Sequence, residues 1–84
     1  MHNPPDINYP RIIRAGDRAV TVEFSSTIDE VSNRQVLALD TCLSTNPPAG
    51  MLETVPTYRS LTVIYDPQVV RGAAMATELG HRAA

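Results

Sequence analysis

Lysine is absent from this 84-residue chain and cysteine occurs once, so a lysine-rich tract and an internal disulfide are both excluded. The seven basic side chains are all arginines, and the net charge is −2. Arg11, Arg14 and Arg18 lie close together, but no aromatic residues alternate with them. They read as solvated surface arginines, and the chain is not expected to bind nucleic acid. Long apolar runs are also missing. A membrane-spanning helix needs about 20 consecutive apolar residues, so no membrane segment is expected. Residues 1–6 have neither a basic start nor an apolar stretch, and do not read as a signal peptide. With Cys42 the lone thiol, a reducing, cytoplasmic setting is expected, and Cys42 reads as a small buried hydrophobe within a helix.

Chemistry-bearing clusters are scarce too. His2 and His81 stand near the two ends of the sequence, far from Cys42, so no metal-ligand spacing exists. Neither histidine has an orienting carboxylate for nucleophilic catalysis. Gly16, Gly50, Gly72 and Gly80 are scattered and form no phosphate cradle.

What is present is organised around residues 51–67. Leu61, Val63 and Tyr65 alternate with Thr62 and Ile64, the period-two pattern of a strand with two distinct faces. Met51 to Val55 is a second strand-forming run, stopped by Pro56, and Thr57–Tyr58–Arg59 joins the two as an antiparallel hairpin. Asp66 is suited to cap a helix and Pro67 to open it, so the spacing predicts a helix from Pro67 to about Gly80. Its expected buried side is Val69, Ala73, Ala76 and Leu79. Gly72, Ala76 and Gly80, four residues apart, predict a shallow groove packed tightly on the sheet.

Upstream, residues 1–10 hold three prolines and read as a poorly ordered arm. Arg11 to Ala15 is a short strand, Gly16–Asp17 a turn, and Ala19 to Phe24 a strand with Val20, Val22 and Phe24 on one face. A first helix follows, capped by Thr27, with Glu30 reaching back, or by Asp29. It extends to about Ser44, with an apolar stripe of Ile28, Val31 or Ser32, Val36, Leu39 and Leu43. Asn46 to Gly50 ends it. Glu78 and Arg82 form an i,i+4 pair, and His81 with Arg82 suits the negative end of the last helix.

The order β-β-α-β-β-α predicts one α+β domain over residues 11–84. Without its first strand this is the ferredoxin-like split βαβ sandwich, an antiparallel sheet with two helices on one face, lacking the final strand. Arg11–Ala15 is expected to occupy that missing edge position beside residues 19–24.

Gly16–Asp17, Val22–Glu23–Phe24, Asn33, Gly50 to Tyr58 with Glu53 and Val55–Pro56, Ser60–Leu61, Val63 and Tyr65–Asp66–Pro67 together resemble allophanate hydrolase subunit 1. That family includes the B subunit of ATP-dependent 5-oxoprolinase and the KipI-type inhibitors of a sporulation histidine kinase. The resemblance, over about residues 10–70, implies the N-terminal domain of a carboxyltransferase-type protein whose C-terminal cyclophilin-like domain this sequence lacks. It implies a heteromeric hydrolase complex with a second carboxyltransferase-like subunit, similar to allophanate hydrolase subunit 2 or the C subunit of 5-oxoprolinase. No cofactor is expected on this chain, and any ATP would belong to the full complex. The KipI relatives imply instead a regulatory module that binds a kinase.

Within the chain, Glu23 and Glu53 are the candidates for acid/base chemistry. Both are expected on the uncovered sheet face, two strand spacings or about 9–10 Å apart. The alternative is a pair of carboxylates solvated or matched with arginine. Gly16, Asp17, Glu53, Pro56, Tyr58, Arg59, Ser60, Asp66 and Pro67 are the signature and candidate interface residues. Ser60 reads as a turn residue, and Tyr58 as a ring at the domain edge with a wet hydroxyl. The open face is expected to carry Thr21, Glu23, Met51, Glu53, Val55, Thr62 and Ile64, with the register of residues 51–55 undecided.

Overall fold

The computed structural model describes residues 9–83. Most of the expected N-terminal arm, residues 1–8, lies outside the described residues. The elements are β1 (Arg11–Arg14), β2 (Ala19–Glu23), α1 (Glu30–Thr45), β3 (Met51–Pro56), β4 (Ser60–Tyr65) and α2 (Gly72–Ala83). The strands form one antiparallel sheet in the order β1-β2-β4-β3. β4 therefore separates β2 from β3, which is the split βαβ arrangement, and β1 covers the β2 edge as the sequence predicts.

Alternation makes the sheet two-faced. Val20, Val22, Leu61, Val63 and Tyr65 are buried together with Val36, Leu39 and Leu43 of α1 and Met75 and Leu79 of α2 in one core. α1 lies over β4 and β3, and α2 over β2 and β1, so both helices roof the same side. Among the described residues the reverse side has no helix over it.

Several local expectations are corrected by packing. Of the two caps the sequence leaves open, Asp29 is the N-cap of α1, and its carboxylate accepts from the Ser32 N–H. Starting there turns Ser32 inward with Val36, Leu39 and Leu43, and leaves Ile28 and Val31 exposed. Cys42 lies off this stripe and is exposed rather than buried. In β3 a bulge between Met51 and Glu53 shifts the register. Met51 consequently pairs with Tyr65 and packs against the core, away from the open face, while Glu53 and Val55 stay on that face opposite Ile64 and Thr62.

The largest correction concerns α2. Asp66 and Pro67 form a tight turn, in which Asp66 Oδ1 accepts from the Gln68 N–H and its carbonyl accepts from Val69 and Val70. The helix begins only at Gly72, with Arg71 contributing the first helical carbonyl, to the Met75 N–H. The delay has a packing cause: Val70 lies against Gly50, and the chain then passes Tyr65 and Arg14 at Gly72. Gly72 is thus a helix start rather than an interior weak point, and a Cβ there would sit 2.5 Å from the Tyr65 hydroxyl. The buried side of α2 becomes Gly72, Met75 and Leu79, leaving Val69 and Ala73 exposed.

Gly16 and Gly50 both have positive φ, +84° and +88°. A Cβ at Gly16 would meet open space, whereas one at Gly50 would meet Val70 Cγ1 at 2.5 Å. Gly16→Ala should therefore cost only the backbone strain, about 1–2 kcal/mol. Gly50→Ala should cost about 1–3 kcal/mol more through overpacking, read as the difference in urea unfolding free energy.

Candidate functional site

The C-terminal end of β2 gathers the densest polar constellation on the open face. Register aligns Glu23 with Arg11 on one side and Ser60 on the other. Arg11 donates to Glu23 Oε1 from Nη2 at 2.9 Å and from Nε at 3.2 Å. Arg59 Nη1 reaches Oε2 at 3.2 Å and the Ser25 carbonyl at 2.9 Å. Arg59 can do this because its own carbonyl accepts from the Phe24 N–H, which ties the β3–β4 turn to the end of β2. Both oxygens of Glu23 are thus occupied by guanidinium donors.

Glu53 is not part of this cluster. Glu53 aligns with Ile64 and Glu23 with Ser60, four residues apart along β4. Adding that rise to two strand spacings separates the carboxylates by about 16 Å, not the 9–10 Å of an unstaggered sheet. The two cannot act on one bond. Among the described residues Glu53 makes no ion pair.

The remaining signature residues divide between the two ends of the sheet. At the Glu23 end, Pro56 closes β3 and Tyr58 is 44% exposed. The Tyr58 carbonyl accepts from Asn33 Nδ2 of α1. Ser60 is a turn residue: its N–H and its hydroxyl bond Thr57 Oγ1, and its carbonyl accepts from the Thr57 N–H. At the other end, Gly16 and Asp17 turn β1 into β2, beside Asp66 and Pro67, with the Tyr65 N–H bonded to the Arg18 carbonyl. Among the described residues no group of three or more His, Cys, Asp or Glu could hold a metal, and no helix is long and apolar enough to cross a membrane.

Two features escaped the sequence. Arg82 Nε binds Glu78 at 2.7 Å, the expected i,i+4 pair, but Nη1 also donates to the Asn46 carbonyl at 2.9 Å. α1 has no basic residue in its last turn, so α2 supplies the cation for that negative end. Cys42 Sγ lies 3.7 Å from the same guanidinium nitrogen. Shallow grooves of about 390 and 190 Å³ share Arg82 in their walls; the larger also involves Val70 and Met75, the smaller Phe24 and Leu39. No pairing rule links residue 82 to residue 46; only the helix crossing does.

The hydroxyl cluster around the Asp29 cap is the second. Besides the Ser32 N–H, its carboxylate accepts from the hydroxyls of Ser25, Thr27 and Ser32. The backbone bond from Ser32 leads in holding its pKa below the ordinary 3.8, with burial opposing and the Ser32, Thr27 and Ser25 hydroxyls assisting. A depressed folded pKa stabilises the fold fully above the unfolded value, and that contribution is lost as pH falls through the folded value. Asn caps as well as Asp but carries no charge. Asp29→Asn should therefore keep α1 while flattening the fall in urea midpoint as pH drops below the ordinary carboxylate value of 3.8. An unchanged acid slope would assign it to other carboxylates.

The family model for the carboxyltransferase domain, subdomain C and D, matches residues 10–84. None of the curated proteins matches the chain. A conserved uncharacterised protein from Pyrococcus horikoshii is similar in structure, with 33% identity and a TM-score of 0.81 over 87% of this chain. The chain spans only 34% of that protein's length. The N-terminal domain of the histidine kinase inhibitor KipI from Bacillus subtilis is similar at 29% identity and a TM-score of 0.62, covering 87% of this chain and 77% of that domain. The match of a family model to nearly all of the sequence, on a fold shared with both structures, makes this chain a member of the carboxyltransferase-domain family, subdomains C and D.

Proposed function

We propose that residues 11–84 are an N-terminal assembly domain of the kind found in allophanate hydrolase subunit 1 and in the B subunit of 5-oxoprolinase. The domain works with a second carboxyltransferase-like subunit in hydrolysis of an amide C–N bond, in the cytoplasm. The observation that carries this reading is the uncovered sheet face. Ile13, Val55 and Ile64 lie there beside Thr21 and Thr62, whose hydroxyls bond each other at 2.7 Å. Such a face presents apolar area with the hydroxyls at its centre already paired, which favours docking over chemistry. Glu23 fits the same role, since its oxygens are engaged by Arg11 and Arg59. ATP, where the reaction uses it, is bound by the rest of the complex.

The likeness to the KipI N-terminal domain favours a second reading, a regulatory module that inhibits a sensor histidine kinase by binding it. Turnover assays with allophanate and with 5-oxoproline plus ATP, each with and without a candidate second subunit, separate the two. The assembly reading expects no turnover by the chain alone and co-purification with that second subunit. Hydrolysis by the isolated chain would contradict it. Inhibition of kinase autophosphorylation, with no binding to the second subunit, would favour the regulatory reading.

A further inference from the structure

We propose that the open sheet face pairs with a second copy of this chain, face to face about a two-fold axis lying along the row Ile13–Thr21–Thr62–Val55. This rests on the reading of that face as an assembly surface, and adds the occupant it takes when no second subunit is bound, the two competing for one face.

The edges of the sheet are poor sites for self-association. β3 carries a bulge near Leu52 and ends in Pro56, and β1 has only four residues, beginning and ending in arginine. Bulges, prolines, short strands and edge charges are the devices that block strand addition. The face is different. Ile13, Thr21, Thr62 and Val55 are in register across all four strands, so an in-plane two-fold along that row sets each over its own counterpart. The row has no charge at its centre, and nothing in it opposes its own copy.

The two ends of the face complement each other. One end carries Arg11, Arg59 and Glu23 in a mutual cluster of net charge +1. The other end carries Glu53 on β3, and the turn there holds Asp17 and Arg18 beside Asp66, net charge −2. The two-fold reverses strand direction between copies while keeping β1 over β1 and β3 over β3. Asp17 then comes over the partner copy's Arg11 corner, and Glu53 over its Tyr58–Arg59 corner. Rotating the copies the other way, with strand directions kept, would place like ends together.

The area sets the strength. Four strands about 4.8 Å apart and five residues long at about 3.4 Å each give a face of about 300 Å² per copy. That is well under the roughly 800 Å² per partner of a standard interface, so the dimer is weak and salt-sensitive.

Sedimentation velocity from about 10 μM to 1 mM tests this, with amide NMR spectra confirming that each variant folds. The mass should rise from 9.2 kDa toward twice that value. Val55→Arg sets like charges against each other on the axis and should weaken association at least about tenfold. Glu53→Arg, an exposed change at the acidic end, should weaken it by roughly 3- to 10-fold, with the salt dependence reduced. Leu37→Arg, on the helical side, should change nothing. A concentration-independent monomer, or a dimer indifferent to both Val55→Arg and Glu53→Arg, overturns the proposal. A monomer that still binds the second subunit overturns this inference alone, whereas a dimer that never binds it overturns the assembly reading alone.

Discussion

Burial of one side of β4 is the constraint on which the other elements depend. Leu61, Val63 and Tyr65 are each no more than 1% exposed, on a strand hydrogen-bonded on both sides. Each such side chain contributes about 1.5–3 kcal/mol through removal of apolar surface from water. β1 and β3 are edges, and β2, though paired on both sides and alternating, buries only Val20 and Val22 and has a four-residue companion on its outer side. The position of Tyr65 then sets the start of α2. Its hydroxyl occupies the space a Cβ would take at Gly72, so the helix can pass there only as glycine.

Around that apolar centre the periphery is joined by polar contacts that each link two elements. Asn33 ties α1 to the β3–β4 turn, Thr54 Oγ1 ties β3 to Asp40 of α1, and Arg82 ties α2 to the end of α1. Individually these are modest, since exposed hydrogen bonds and ion pairs contribute about 1 kcal/mol or less. Their value is positional. They fix how far each helix slides along a sheet whose inner surface, made of small branched side chains, would tolerate several placements.

The strands were legible because period-two alternation is a local signal and burial here follows it: Val20, Val22, Leu61 and Val63 face inward as the pattern implies. The substitution of β1 for the absent edge strand was legible for a topological reason, the Gly16–Asp17 turn returning the chain along β2. The start of α2 was not, because Asp66–Pro67 is a valid opening for either a helix or a tight turn. The choice is made by Gly50 and Tyr65, residues outside that segment. The inward turn of Met51 depends on a bulge with no residue signature of its own. For the candidate site, the residue types were readable but their spacing was not. Glu23 and Glu53 belong to one face, and only the stagger of β3 on β4 shows that they occupy opposite ends of it.

That stagger bears on function more than any single side chain. Had the two carboxylates lain abreast across β4, the face would have offered a reaction centre, with one group to take a proton and one to give it. Separated along the strand, one is locked between Arg11 and Arg59 and the other stands apart at the far end. The face then has a polarity along the strand direction, with hydroxyl and apolar groups between its ends. A surface so arranged discriminates the orientation of whatever lies on it, because reversing the guest exchanges favourable end contacts for unfavourable ones. The proposed assembly role calls for such orientation, and a thin sheet roofed on one side leaves room for a guest to provide the second layer.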